Sequence, residues 1–157
     1  MPAHTITWRN VKHMEGDNVL DIFTRAGFTF PQDYLACAIK NNGGRPDQNI
    51  MVVNGIETEF RGLLRIDAGG EGNIQEAYDI ICDDFPDCIP FGDDSYGNFI
   101  CFCWTDRSKT PGVCFLDKAQ QAMLPLAAGF TGFLRMLQSE EELLFRPVND
   151  LFQKDTA

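Results

Sequence analysis

The sequence lacks positive charge through its middle. Between Arg65 and Arg107 it runs 41 residues without a lysine or an arginine. The same interval contains ten carboxylates: Asp67, Glu71, Glu76, Asp79, Asp83, Asp84, Asp87, Asp93, Asp94 and Asp106. The other 13 acids equal the 13 bases, so this interval accounts for the whole formal charge of −10. Concentrated like charge repels itself and attracts positive partners, so we expect a localised negative surface with a functional role.

Histidine is scarce, with only His4 and His13 near the N-terminus. Neither lies at metal-ligand spacing from a cysteine, and the six cysteines include no CxxC pair. We therefore predict no metal site, no cofactor, and reduced, mostly buried thiols. Two histidines at one end of the chain do not supply a Ser-His-Asp or Cys-His set. No catalytic residue is predicted, and we expect that the protein is not an enzyme.

Clustered cations and long apolar runs are also missing. The pI of about 4.5 argues against direct binding of nucleic acid and against an anionic membrane surface. No apolar run approaches the roughly 18 residues of a transmembrane helix, and the first ten residues do not resemble a secretory signal. We expect a cytoplasmic protein with no nucleic-acid or membrane partner, and the sequence leaves its oligomeric state open.

Hydrophobic periodicity predicts both helices and strands. Helices are predicted after Asp17-Asn18, from Pro31, from Asn73 and over Phe130–Leu137. Strands are predicted at Ile50–Val53, Glu59–Ile66, Cys88–Phe91, Asn98–Thr105, Val113–Leu116 and Met123–Ala127. This order predicts an α+β fold in one domain, residues 1–157. Its antiparallel or mixed β-sheet would be flanked by N-terminal, central and C-terminal helices.

Several short patterns make local predictions. Asn73 and Glu76 have the spacing of a capping box, as do Ser139 and Glu142. A turn is predicted around Asn54-Gly55. Both alternating faces of Phe99–Trp104 are apolar, which predicts a central strand covered on both sides.

The segment Gly92–Asn98 joins two predicted strands, and its glycine, aspartate and asparagine content predicts a turn. Two alternatives remain open. Asp93 and Asp94 could bind a metal, although their spacing does not fit an EF-hand loop. Tyr96 could instead contact a partner as an amphipathic anchor. The Asn42-Gly43-Gly44 turn is interpreted as structural, because a phosphate cradle would want a following helix and a lysine.

The predicted central helix has an acidic face. Glu76, Asp79 and Asp83 are spaced at i, i+3 and i+7, with no basic neighbour to offset their repulsion. Asp83 and Asp84 would lie at the helix C-terminus, where the helix dipole disfavours anions by about 0.3–1 kcal/mol. A solvated face explains this pattern, and so does a docking surface for a basic partner.

Three motifs resemble those of the SUKH superfamily. They are Phe30–Tyr34 followed by Asn42–Pro46, similar to LPxDY…NGGxP; Ile89–Asn98, similar to hPhGxDxxGN; and Phe130–Leu137, similar to the helix SFxxFLxxL with Gly129 where serine is common. The motifs occur in the family's order at family-like spacing. The resemblance covers about residues 7–138 and leaves 139–157 as a C-terminal extension.

The resemblance implies a function. The superfamily includes a yeast regulator of cell-wall assembly, and its bacterial members are mostly immunity proteins of polymorphic toxin systems. A member would have an α+β fold and a non-enzymatic binding role. We therefore expect an immunity protein whose partner is a cognate secreted toxin, of nuclease or deaminase type, with a basic surface. The residues expected to bind it are Glu76, Asp79, Asp83, Asp84, Asp87, Asp93, Asp94 and Tyr96.

The sequence is also compatible with two other functions. A regulatory protein-binding scaffold without a toxin partner is the main alternative, as for the yeast relative. A hydrolase that uses Asp93 and Asp94 as paired carboxylates is disfavoured. Nothing near them in the sequence supplies a general acid, an oxyanion donor or a set of metal ligands.

Overall fold

A six-stranded antiparallel sheet forms the centre of the structure, a computed structural model that describes residues 5–144. The elements are β1 (Trp8–Arg9), α1 (Leu20–Arg25), α2 (Gln32–Lys40), β2 (Arg45–Pro46), β3 (Ile50–Val53), β4 (Ile56–Leu63), α3 (Ile74–Ile81), β5 (Cys88–Asp94), β6 (Phe99–Cys103), β7 (Gly112–Asp117), β8 (Ala122–Ala127), α4 (Phe130–Met136) and α5 (Glu140–Leu144). The large sheet has the order β3-β4-β5-β6-β7-β8, and β1 pairs with β2. The predicted α+β fold is confirmed.

The first hairpin shows how the sequence sets the register. Asn54 and Gly55 both have positive φ, at 53° and 82°, as a two-residue hairpin turn requires. The turn pairs Val53 with Ile56 directly, so β4 begins three residues before the predicted Glu59. It also ends before the predicted Ile66. The N–H of Ile66 donates to the Asn42 side chain at 2.8 Å and not to a neighbouring strand.

Aromatic packing shows which helices cover the first face of the sheet. Phe91 of β5 and Phe102 of β6 stack with ring centroids 4.3 Å apart. Tyr34 of α2 and Phe130 of α4 both contact this pair. Helices α2 and α4 therefore cover this face. Trp104 packs 6.1 Å from Phe102 and is buried, which confirms its predicted place in the core.

The second face of the sheet contains four thiols. Cys88 pairs with Cys103 across β5 and β6, and Cys101 pairs with Cys114 across β6 and β7. Cys101 is buried and the other three are half-buried, and all six cysteines of the chain are free. Leu116 is on the same face, where it lines a small cavity with residues of α3. Helix α3 thus lies on the face opposite α2 and α4.

A buried polar centre ties the N-terminal segment to the loop after β4. Asp67 is fully buried and accepts hydrogen bonds from Arg65 Nη2 at 2.8 Å and from the N–H of Glu15 at 2.7 Å. It also accepts one from Asn42 Nδ2 at 2.8 Å. The guanidinium and these other donors hold the pKa of Asp67 well below its usual range. We call this group the Asp67 centre.

Tyr34 places a hydroxyl in the core with no hydrogen-bond partner among the described residues. Burial raises the pKa of this phenol. We expect Tyr34→Phe to raise the free energy of unfolding by up to about 1 kcal/mol, because it removes the cost of burying an unbonded hydroxyl. Tyr78→Phe is the matched control, since it removes a 2.8 Å bond to the Pro86 carbonyl and should lower stability by about 1 kcal/mol. Urea denaturation measures both, and a loss in Tyr34→Phe as large as in the control would contradict the prediction.

Candidate functional site

Helix α3 is fixed at its N-terminus by the predicted capping box, which the structure confirms. The N–H of Glu76 donates to Asn73 Oδ1 at 3.0 Å, and Glu76 Oε2 accepts from the N–H of Gly72 at 3.0 Å. Ile74 and Ile81 are buried against the sheet. The Glu76 carboxylate therefore stabilises the start of the helix, although its side chain is exposed.

The C-terminal half of α3 and the residues after it present a mixed apolar and acidic surface. Asp79, Asp83 and Asp84 are exposed, and none of them forms a side-chain hydrogen bond or an ion pair within residues 5–144. Ile80 lies among them with 62% of its surface exposed. We name these four residues the acidic α3 surface. An exposed aliphatic side chain with unpaired carboxylates close to it in the sequence suits contact with a basic protein.

Other carboxylates of the acidic interval are neutralised internally. The pairs are Asp67 with Arg65 at 2.8 Å, Asp87 with Arg107 at 2.9 Å, and Asp93 with Arg61. These arginines come from the ends of the cation-free interval or from just before it. The negative charge is therefore less concentrated in the folded protein than the sequence indicated. Asp87, just before β5, remains exposed, but Arg107 neutralises its charge.

Asp93 and Asp94 correct the sequence interpretation most clearly. They belong to strand β5 and are buried, at 9% and 2% exposure, so the predicted turn begins only at Ser95. Burial raises the pKa of Asp93, and the hydrogen bond from Arg61 offsets part of that rise. Asp94 accepts from the N–H groups of Tyr96 and Asn98 at 2.9 and 2.8 Å. Both carboxylates stabilise the hairpin, and their burial differs from the exposed position that a docking role leads one to expect.

Tyr96 is 84% exposed at the tip of the β5–β6 turn. Two residues on, Asn98 Oδ1 accepts from the N–H of Lys118 at 3.1 Å. Lys118 in turn lines a cavity of about 100 Å³ together with Ile80 and Asp84. Ile80 and Asp84 therefore lie toward the end of the sheet that carries the Tyr96 turn, whereas Asp79 lines a different cavity together with Arg107.

Sequence reasoning missed Ile80. The predicted apolar stripe of α3 was Ile74, Ala77, Tyr78, Ile81 and Phe85, and Ile80 does not belong to it. An isoleucine outside the stripe and between two acidic positions was the signal in the sequence that could have identified this exposed side chain. Within residues 5–144 no group of three metal-ligating side chains has the geometry to hold an ion. No helix in the same residues is long and apolar enough to cross a membrane.

The structure defines an α+β domain with an antiparallel meander and exposed carboxylates on and just after α3. The chain belongs to the SMI1 / KNR4 family (SUKH-1), whose model matches residues 17–136. A search of curated proteins found no match. Family membership supports a binding role of the immunity-protein or SMI1/KNR4 type, and the family is generally non-catalytic.

Proposed function

We propose that this protein is an immunity protein that binds and neutralises a cognate secreted toxin through the acidic α3 surface. The supporting observation is that Asp79, Asp83 and Asp84 have no side-chain partner among the described residues and that Ile80, close to them on α3, is exposed. A nuclease or nucleic-acid deaminase needs a basic groove to hold the phosphates of its substrate. Carboxylates placed in that groove would exclude the nucleic acid. The protein acts inside the cell that makes the toxin.

The two kinds of side chain have different roles in this mechanism. Opposite charges on the two proteins accelerate their encounter, and this acceleration weakens as salt is added. Ile80 and Tyr96 act as anchors, because desolvated apolar and aromatic contacts set the rate of dissociation. Fast capture matters because free toxin damages the cell before equilibrium is reached. Asp93 and Asp94 take no part in this surface, and Glu76 and Asp87 lie at its margin.

Charge reversal tests the electrostatic part. We expect the triple variant Asp79→Lys, Asp83→Lys, Asp84→Lys to slow association with the toxin by roughly tenfold or more at low salt and to flatten its salt dependence. The fold should tolerate these changes, because lysine near a helix C-terminus is favourable. Stopped-flow fluorescence measures the association rate. An association rate equal to that of the unmodified protein would contradict the proposal.

A matched control has the same change in net charge at other exposed acids. The triple variant Glu57→Lys, Glu140→Lys, Glu141→Lys changes strand β4 and helix α5 and leaves the acidic α3 surface intact. We expect a smaller change in the association rate. If both variants slow association equally, the effect comes from net charge and not from this surface.

The partner is obtained by co-expression with the C-terminal domain encoded by the neighbouring gene. Host survival and co-purification are scored together. Rescue of a host that the domain alone kills supports the immunity function. A partner that co-purifies but is harmless on its own would instead support a regulatory scaffold.

A further inference from the structure

A cavity at the opposite end of α3 collects positive charge in this acidic protein. It has a volume of about 130 Å³ and lies beside strands β2 and β4. Four of the 13 bases of the chain line it: Lys12, Arg45, Arg61 and Arg65. We call it the basic cavity. Glu71 and Asp93 also line it, and Asp67 lies behind Arg65, so the cations still exceed the anions.

Two of the arginines are held in place by carboxylates. Arg61 donates from Nε and Nη2 to Asp93, and Arg65 donates from the same two nitrogens to Asp67 at 2.9 and 2.8 Å. A guanidinium has five N–H donors, so each arginine keeps donors for a further acceptor. The bidentate pairs fix the planes of both groups before any ligand arrives.

The other two cations have no carboxylate partner among the described residues. Lys12 donates from Nζ to the carbonyl of Asn10 at 2.8 Å, which leaves its charge uncompensated. Arg45 is exposed and forms no ion pair within residues 5–144. Burial and the Arg61 hydrogen bond have the largest effects on the pKa of Asp93, and Arg45 lies near enough to that carboxyl to lower its pKa slightly. Lys12 and Arg45 therefore place uncompensated positive charge at a preformed cavity, and such a cavity favours the binding of an anion.

Glycine allows the cations to approach one another. Gly43 has φ of +64°, and a Cβ there would come within 2.8 Å of Lys12 Cγ and 3.1 Å of Arg65 Cγ. A side chain at this position would therefore push both cations away. From the sequence, the Asn42-Gly43-Gly44 turn was interpreted as structural, because the segment after it has neither the helix nor the lysine of a phosphate cradle. The cations come from other parts of the chain.

We propose that the basic cavity binds a phosphate group. A tetrahedral oxyanion offers several acceptor oxygens, which can take hydrogen bonds from two oriented guanidinium groups and from Lys12 and Arg45. The cavity volume corresponds to about four water molecules in the liquid, enough for one such group. This site does not include the acidic α3 surface and does not depend on the proposed function. The phosphate would come from the free ion or from a phosphate monoester.

Titration with inorganic phosphate against chloride at constant ionic strength tests the proposal. We expect saturable binding with a Kd on the order of 1 mM, with NMR shifts at the amides of Gly43, Gly62 and Gly72. Arg45→Gln should weaken binding roughly tenfold, the loss of one charge-assisted hydrogen bond. Arg135→Gln, an exposed arginine on α4, is the matched control and should bind as the unmodified protein does.

A parallel titration with phosphoserine distinguishes the two sources. Tighter binding of phosphoserine assigns the cavity to a phosphate monoester, and tighter binding of inorganic phosphate assigns it to the free ion. Absence of saturable binding with both ligands would overturn the proposal, as would equal weakening in the two arginine variants. Lys12→Gln gives a second test from a different segment, and full affinity in both cavity variants would also refute the site.

Discussion

Replacing Asp67 by alanine is expected to lower the free energy of unfolding by about 3–5 kcal/mol. The substitution leaves the largely buried Arg65 guanidinium without its counter-charge and the Asn42 amide and Glu15 N–H without their acceptor. Urea denaturation monitored by circular dichroism measures the loss. The Asp67 centre joins segments up to 52 residues apart, so its removal should affect the whole fold.

The control for Asp67 is an exposed pair of the same chemistry. Arg9 and Asp47 form an ion pair with side chains 66% and 38% exposed. Asp47→Ala should cost only about 0–1 kcal/mol, because water solvates both ions. Equal losses in the two alanine variants would show that burial does not strengthen the Asp67 centre.

The contribution of Asp67 should also depend on pH in a definite direction. The Arg65 hydrogen bond lowers the pKa of Asp67 in the folded state, so folding favours the charged form. The stability difference between the unmodified protein and Asp67→Ala should therefore be complete above the unfolded pKa of about 3.9. It should shrink as the pH falls below that value toward the folded pKa. A difference that stays constant down to the acid limit of folding would contradict this assignment.

Phe102→Ala should have a similarly large effect, lowering the free energy of unfolding by about 3–5 kcal/mol. Phe102 is fully buried in the central strand of the aromatic core. Its ring contacts Phe30, Tyr34, Phe91, Phe130 and Trp104. The cavity left by alanine would remove packing from both covering helices at once.

A control substitution in an edge strand separates the contribution of packing from that of β-propensity. Val52→Ala, in β3 at the edge of the sheet and 39% exposed, also replaces a strand-favouring residue by alanine. We expect a loss within about 1 kcal/mol, the range of β-propensity alone. A loss at Phe102 no larger than at Val52 would mean that the stacked ring contributes little.

The features that could be predicted from the sequence are those that depend on residues close to one another along the chain. The capping boxes at Asn73 and Ser139 join residues three apart, and both form in the structure. The Asn54-Gly55 turn and the apolar Phe99–Trp104 strand were likewise readable from adjacent residues. For the same reason, the positions of most helices and strands along the chain were predictable, whereas the order of the strands in the sheet came from the structure.

The site was harder to predict because it depends on distant contacts. Asp93 is buried through Arg61, 32 residues away, and irregular register near Phe60 and Pro90 changes which residues face the core. The sequence showed the carboxylates as one group, although arginines neutralise several of them. The basic cavity could not be predicted for the same reason, since Lys12 and Arg65 are distant in the sequence and approach each other only in the fold, beside Gly43.

The strand order has a consequence for how the chain is made. After β3, each strand of the large sheet hydrogen-bonds to the one synthesised just before it, so the meander can grow as successive hairpins while the ribosome is still adding residues. One contact must wait. The backbone of Gln138, after α4, exchanges two 2.9 Å hydrogen bonds with Ile50 in β3, so the first-made border of the sheet closes only after all the other strands and α4 have been synthesised.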